Sequence, residues 1–177
     1  MNQVNLIGNF TKEFAYSHTT NNVSFYSSIL SVSRLSSVID DILIISPIIP
    51  EELNNNYYIH GEIRVFNRHG KSKYYVYPDF MYQVDEPHQN SVELIGSVET
   101  VSDKRETPLG SHIKDVMLKV ENEHKSIYIP LIFWNGLSNT EFLKGQDIHI
   151  KGRLQSRVYT KNDISRQILE VSVNELI

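Results

Sequence analysis

The chain has 177 residues, 40% of them hydrophobic and 21% charged, with a formal net charge of −4, which is typical of a folded protein of one medium or two small domains. It contains no cysteine, which excludes disulfides, thiol catalysis and cysteine-ligated zinc, and its seven histidines are too scattered to predict a metal site. No apolar run approaches the roughly 18 residues of a membrane span, so we expect a cytoplasmic protein with no membrane association and no cofactor.

Two blocks of the sequence recur in the same order. Val4-Asn5-Leu6-Ile7-Gly8 returns as Val92-Glu93-Leu94-Ile95-Gly96, and Ile59-His60-Gly61 returns as Ile150-Lys151-Gly152. The polar segment 85–90, which contains Pro87, is typical of a linker. The sequence therefore predicts two tandem copies of one domain, at residues 1–86 and 91–177.

The elements of the second copy alternate apolar and polar residues and are separated by turn residues. We predict a polar hairpin loop at 102–111, a helical turn at 137–144 closed by Gly145, and strands at 91–98, 112–121, 125–134, 146–158 and 166–173. Five strands with one short helix between the third and the fourth are the order of the oligonucleotide-binding (OB) fold. The predicted fold class is all-β: two tandem OB-fold barrels, each a five-stranded Greek key with at most one short helix.

The third strand of the second copy is apolar on both faces. Ile127, Ile129, Leu131 and Phe133 suit a barrel core, while Tyr128 and Trp134 fall on the opposite face. These two aromatics either stack on bases, at roughly 1–3 kcal/mol per base, or pack in a core or a subunit interface.

Long cationic side chains accompany this strand in the sequence. The fourth strand carries Arg153 and Arg157, Tyr159 and Lys161 follow them, and Lys104 and Arg105 lie in the first hairpin loop. Cations beside aromatics suit single-stranded nucleic acid, because the charges contact phosphates while the rings contact bases; solvated surface charge is the alternative.

These stretches resemble the bacterial single-stranded DNA-binding protein family along nearly all of the second copy. The matching stretches are residues 92–96, 105–110, 129–134, 142–145 and 151–159. The resemblance implies base stacking by Tyr128, Trp134 and Tyr159, with Arg153 and Arg157 near the DNA backbone. It also implies four OB domains in the assembly, which a tandem chain reaches as a homodimer. That family ends in a glycine-rich linker and an acidic tip that recruit other enzymes; neither occurs here, so the sequence gives no basis for predicting such recruitment.

The first copy departs from that pattern. Its third strand, residues 42–47, has no aromatic and is expected to be fully buried. A second aromatic and basic cluster, including Arg64, Phe66 and Arg68, lies in its hairpin between strands four and five, where it either contacts nucleic acid or covers a core edge.

We therefore predict sequence-independent binding of single-stranded DNA in replication, recombination or repair, with RNA not separable from DNA by sequence. The alternative is a primosome-like interaction module that docks a helicase or primase and binds DNA weakly. No phosphate-binding loop or nucleophile elbow occurs, so no enzymatic activity is expected. The abundance of Ile and Asn is typical of an AT-rich genome, such as that of a low-GC bacterium, a mobile element or a phage.

Overall fold

The computed structural model describes residues 1–68, 70–122 and 125–177, apart from the side chains of Arg68, Tyr159 and Lys161. The described chain forms twelve strands: β1 Asn2–Phe10, β2 Ala15–Thr20, β3 Val23–Ser33, β4 Ile39–Ser46, β5 Asn56–Arg68, β6 Lys71–Val84, β7 Gln89–Val101, β8 Arg105–Glu106, β9 His112–Glu121, β10 Ser126–Trp134, β11 Asp147–Lys161 and β12 Ile164–Leu176. Among these residues no helix is long and apolar enough to cross a membrane.

Both repeats close into the same ring of five strands. In the first, β1 pairs with β3 and β5, β3 with β4, and β6 with β5 and, in parallel, with β4. In the second, the ring runs β7-β9-β10-β12-β11, and β10 and β12 are again the parallel pair. This connectivity is that of the OB barrel, so the predicted fold class is confirmed.

The repeat read from the sequence is reproduced in the strand register. Val4 faces Gly61 across β1 and β5, and Val92 faces Gly152 across β7 and β11. A Cβ on either Gly61 or Gly152 would collide with a carbonyl oxygen of the neighbouring strand. These glycines therefore allow close approach of two backbones.

The chain divides into two compact units. The amino-terminal unit comprises Gln3–Ser91 and Gln155–Leu169, and the carboxyl-terminal unit comprises Met1–Asn2, Val92–Leu154 and Glu170–Ile177. The units coincide with the repeats except at the outer part of the β11–β12 hairpin and at the first two residues. Each unit buries an apolar core, with Leu6, Ile44 and Ile59 at 0% exposure in one and Leu94 and Leu131 at 0% in the other.

The predicted helical turn at 137–144 is wrong in position and type. A 3₁₀ turn occupies Asn135–Asn139, and Thr140 is already extended. The chain straightens there because Phe142 packs its ring 4.8 Å from that of Phe133 in the core. Gly145 has a positive φ of 83°, but its N–H donates to the carbonyl of Val98 and does not cap a helix.

Candidate nucleic-acid interface

Tyr128 and Trp134, which together are called the aromatic stripe, lie on β10, the third strand of the second barrel. Ile127, Ile129, Leu131 and Phe133 point inward and are at most 2% exposed, so the predicted core face is confirmed. On the outward face the phenol ring of Tyr128 is solvent-accessible, with the residue 42% exposed. Tyr128 and Trp134 are six residues apart, which at the rise of a β-strand separates them by about 20 Å. The outward face of β10 therefore has an aromatic side chain near each end.

The outward face between these aromatics is apolar. Pro130 and Ile132 lie there beside Met117 of β9, and with Val101 they line a groove of about 270 Å³. Ile132 is only 3% exposed although its position in the strand is outward. The strand alternation alone does not show this burial, because it depends on residues outside β10.

Trp134 closes one end of the stripe with its indole partly buried. Its Nε1–H is buried and has no hydrogen-bond acceptor among the residues that the structure describes. A buried donor without a partner costs about 1–3 kcal/mol, so an acceptor supplied by a ligand or a small shift of the ring would be favourable there.

Two lysines frame Tyr128 at the other end. Lys119 lies directly opposite it on β9, and its Nζ is 2.7 Å from Oε1 of Glu121. Lys144 places its Nζ 2.8 Å from Oε1 of Glu99. Hydrogen bonding to these carboxylates raises the pKa of both ammonium groups and lowers the pKa of Glu121. The lysines are therefore charged but already paired, and a phosphate has to compete with a carboxylate for each.

The first hairpin loop reaches this face from the side. Nη2 of Arg105 lies 2.9 Å from Oδ2 of Asp115, a groove residue, and Nζ of Lys104 donates to Oδ1 of Asn139 at 2.9 Å. Arg105 thus borders the groove, as its place in the loop suggested. Its charge is shared with Asp115.

The cations of β11 are not the immediate neighbours of the aromatic stripe, because β12 lies between β10 and β11 in the strand order. Arg153 is half-buried in the carboxyl-terminal unit, while the exposed Arg157 belongs to the amino-terminal unit. Gln155, between them, is only 6% exposed, so β11 does not present one continuous exposed polar face. The side chains of Tyr159 and Lys161, also predicted for this site, lie outside the described residues.

In the amino-terminal unit, Arg64 and Phe66 pack along the β5–β6 hairpin. The Arg64 guanidinium lies 3.6 Å from the ring centroid of Tyr77, and its Nε is 2.6 Å from Oε1 of Glu62. The Phe66 ring lies 5.8 Å from that of Tyr75, whose pKa is raised by burial. These contacts favour the interpretation that this part of the cluster covers a core edge. The side chain of Arg68 lies outside the described residues.

Sequence reasoning missed Lys119, Lys144 and Arg166. Lys119 could have been found from the β9–β10 hairpin, since two strands of nearly equal length fix the register opposite Tyr128. Arg166 could not, because it joins Lys71 and Lys73 only through the folding of the β11–β12 hairpin.

Comparison with known proteins identifies a fold. No protein-family model and no curated protein match the chain. Among solved structures, wild-type single-stranded DNA-binding protein from Thermus aquaticus matches with a TM-score of 0.78 and 20% identity, covering 100% of this chain and 92% of that one. A deletion mutant of the same protein gives 0.78 and 21%, with coverage of 100% and 93%. The N-terminal domain of PriB from Thermoanaerobacter tencongensis matches 48% of this chain at a TM-score of 0.43 and 27% identity, covering 98% of that domain.

Proposed function

We propose that this chain, which shares its tandem OB fold with the single-stranded DNA-binding protein of Thermus aquaticus, binds single-stranded DNA without reading its sequence. The observation that carries the proposal is the outward face of β10, where an exposed Tyr128 and a partly buried Trp134 flank the apolar Pro130 and Ile132. The groove at these two residues is also lined by the carboxylates of Asp115 and Glu170. In OB folds the face of strands two and three is the surface that binds oligonucleotides.

Stacking supplies most of the affinity on this face. Each base stacked on an aromatic contributes roughly 1–3 kcal/mol whatever its identity, because every base presents a π-face. Phosphates reach Lys119 and Lys144 only by displacing Glu121 and Glu99, so the net electrostatic gain at these two lysines is small. We expect binding with a shallow salt dependence at this face.

Titration of oligo-dT tests the proposal directly. Trp134 is the single tryptophan of the chain, so quenching of its fluorescence reports on one end of the stripe. With a labelled oligonucleotide and anisotropy, Trp134→Ala should weaken binding roughly 5- to 150-fold, the equivalent of one lost stack, and Trp134→Phe should weaken it less.

A matched control is Tyr82→Ala, because Tyr82 is an equally accessible tyrosine, 52% exposed, on β6. It should bind as tightly as the wild type, whereas Tyr128→Ala should bind more weakly. Binding that is indifferent to both Trp134 and Tyr128, or absent at low salt, would overturn the proposed function.

The cellular role follows as part of the same proposal. The protein coats unwound strands in replication, recombination or repair in the cytoplasm, as a binding protein and not as an enzyme. Two chains associate into a homodimer with four OB domains, an expectation from the repeat number. Light scattering of the purified chain tests it, and a monomer mass at micromolar concentration would contradict it.

One observation favours the alternative of an interaction module that docks a helicase or primase. Three of the cations around the stripe, Arg105, Lys119 and Lys144, are each paired with a carboxylate. If saturating oligo-dT leaves the fluorescence of Trp134 unchanged while a helicase or primase quenches it, this second function replaces the first.

A further inference from the structure

A second concave site lies in the amino-terminal unit, away from the aromatic stripe. It is a pocket of about 550 Å³ bounded by β4, β6 and the outer half of β12. Leu43, Ile168 and Leu169 give it apolar walls, and Tyr74 lines it beside them. Pockets that hold small organic ligands have volumes of about 300–1,000 Å³, so one nucleotide fits this site in size.

Three exposed cations surround the pocket: Lys71, Lys73 and Arg166. Within the described parts of the chain, no carboxylate lies within ion-pair distance of these three groups, in contrast to Lys119 and Lys144 on the β10 face. Asp41 is the carboxylate among the lining residues, and its Oδ1 accepts a hydrogen bond from Ser31. In a chain of net charge −4, the pocket thus concentrates positive charge that a phosphate can use directly.

Hydrogen bonds hold the pocket walls in place. Ser156 of β11 donates its N–H to Oδ1 of Asp40 at 2.9 Å and accepts at Oγ from the N–H of Asp41 at 2.8 Å. On β12, Nε2 of Gln167 donates to the carbonyl of Asp41 at 3.0 Å. The β11–β12 hairpin is therefore fixed to β4, so a ligand meets a preformed site and loses less free energy to ordering the protein.

The phenol of Tyr74 stays neutral at physiological pH, since burial raises its pKa above the ordinary value of 10.0. Tyr74 shares the pocket lining with Lys71 and Lys73, so an aromatic ring and two cations border the same cavity. Aromatic rings contact bases and cations contact phosphates in single-strand sites.

We propose that this pocket binds one nucleotide of a single-stranded nucleic acid, with the base against Tyr74 and Leu43 and the flanking phosphates on Lys71, Lys73 and Arg166. The inference rests on the proposed function, because it adds a second contact for the same strand. It predicts that this second contact provides the salt-sensitive part of the affinity.

Photo-cross-linking of the full chain to oligo-dT that carries 5-iododeoxyuridine tests the position of the base. Cross-links mapped to Tyr74 are expected, in addition to any at Tyr128 or Trp134. Cross-links confined to β10 would overturn the pocket and leave the proposed function intact.

The salt dependence of oligo-dT affinity tests the phosphates. Lys73→Ala/Arg166→Ala should lower the slope of log K against log[salt] by about 1.4, since each phosphate contact to a single strand contributes roughly 0.7. The matched control Lys12→Ala/Lys125→Ala removes two exposed charges outside the pocket and should keep the wild-type slope.

Three outcomes are distinguishable. A reduced slope in the pocket variant alone, with Trp134 still quenched, supports the pocket. An unchanged slope with Trp134 still quenched overturns the pocket only. No binding of oligo-dT by the wild type overturns the pocket and the proposed function together.

Discussion

Asp40 is the residue whose replacement tests most sharply how the amino-terminal unit is held together. Its carboxylate is 0% exposed and receives both Nε and Nη2 of Arg34, at 2.7 and 2.6 Å. The same carboxylate accepts the N–H of Ser156 at 2.9 Å, so it ties β4 to the β11–β12 hairpin. The hydrogen bonding that Arg34 donates to Asp40 also raises the pKa of the guanidinium, which stays charged.

The change Asp40→Asn keeps the shape but removes the charge and turns one acceptor into a donor that faces the guanidinium. Breaking a fully buried ion pair costs about 3–5 kcal/mol. Because the Arg34 side chain is 24% exposed and water screens it in part, we expect the lower side of that range, about 2–3 kcal/mol of unfolding free energy.

Urea unfolding followed by circular dichroism measures this loss, and amide hydrogen exchange at Ser156 shows whether the hairpin opens. Asp79→Asn is the matched control, since Asp79 is an exposed aspartate on β6 of the same unit, and it should unfold within about 0.5 kcal/mol of the wild type. An Asp40→Asn variant as stable as the control, or normal protection of the Ser156 amide, would refute the reasoning.

Three further predictions concern packing, charge and pH. Gly96→Ala places a methyl group against a carbonyl oxygen of β9 and should cost at least about 2 kcal/mol in urea unfolding, whereas Gly136→Ala meets open space and should cost less than about 1 kcal/mol. Glu121→Gln removes the carboxylate that pairs with Lys119 and should tighten oligo-dT binding roughly two- to five-fold at low salt. The control Glu51→Gln changes an exposed glutamate outside the site and should leave the affinity unchanged. Weaker binding by Glu121→Gln would contradict the role of Lys119. The raised pKa of Tyr74 means that the folded state holds this proton more tightly than the unfolded state, so its contribution to stability is complete below about pH 10 and is lost as the pH rises through the folded pKa. Unfolding midpoints between pH 8 and 11 should therefore fall less steeply in Tyr74→Phe than in the wild type, and parallel curves would show that Tyr74 does not titrate in this way.

Local periodicity and internal repetition were sufficient to predict much of the fold. The inward face of β10 and the limits of β9 at residues 112 and 121 followed from alternation, because a strand exposes its residues with a period of two. Asn22, with φ 63°, and Gly110, with φ 82°, adopt the left-handed backbone that asparagine and glycine tolerate in turns. These features depend on neighbours in the sequence, and the sequence contains that information directly.

Other features depended on contacts between residues far apart in the chain. The 3₁₀ turn at Asn135–Asn139 replaced the predicted helical turn because Phe142 had to reach the core beside Phe133. Lys119 and Lys144 lie beside Tyr128 only in the folded chain, and each is paired there with a carboxylate.

The sequence by itself determined that the chain is a duplicated OB barrel and that β10 of the second copy carries an aromatic outer face. Only the tertiary structure decided which cations of the described residues come together without a carboxylate partner. Arg166 joins Lys71 and Lys73 because Asp40 and Asp41 fix the β11–β12 hairpin to β4 of the other repeat. The number and order of charged residues can be counted in a sequence. Whether a cation is paired depends on distances of a few ångströms, which only folding sets.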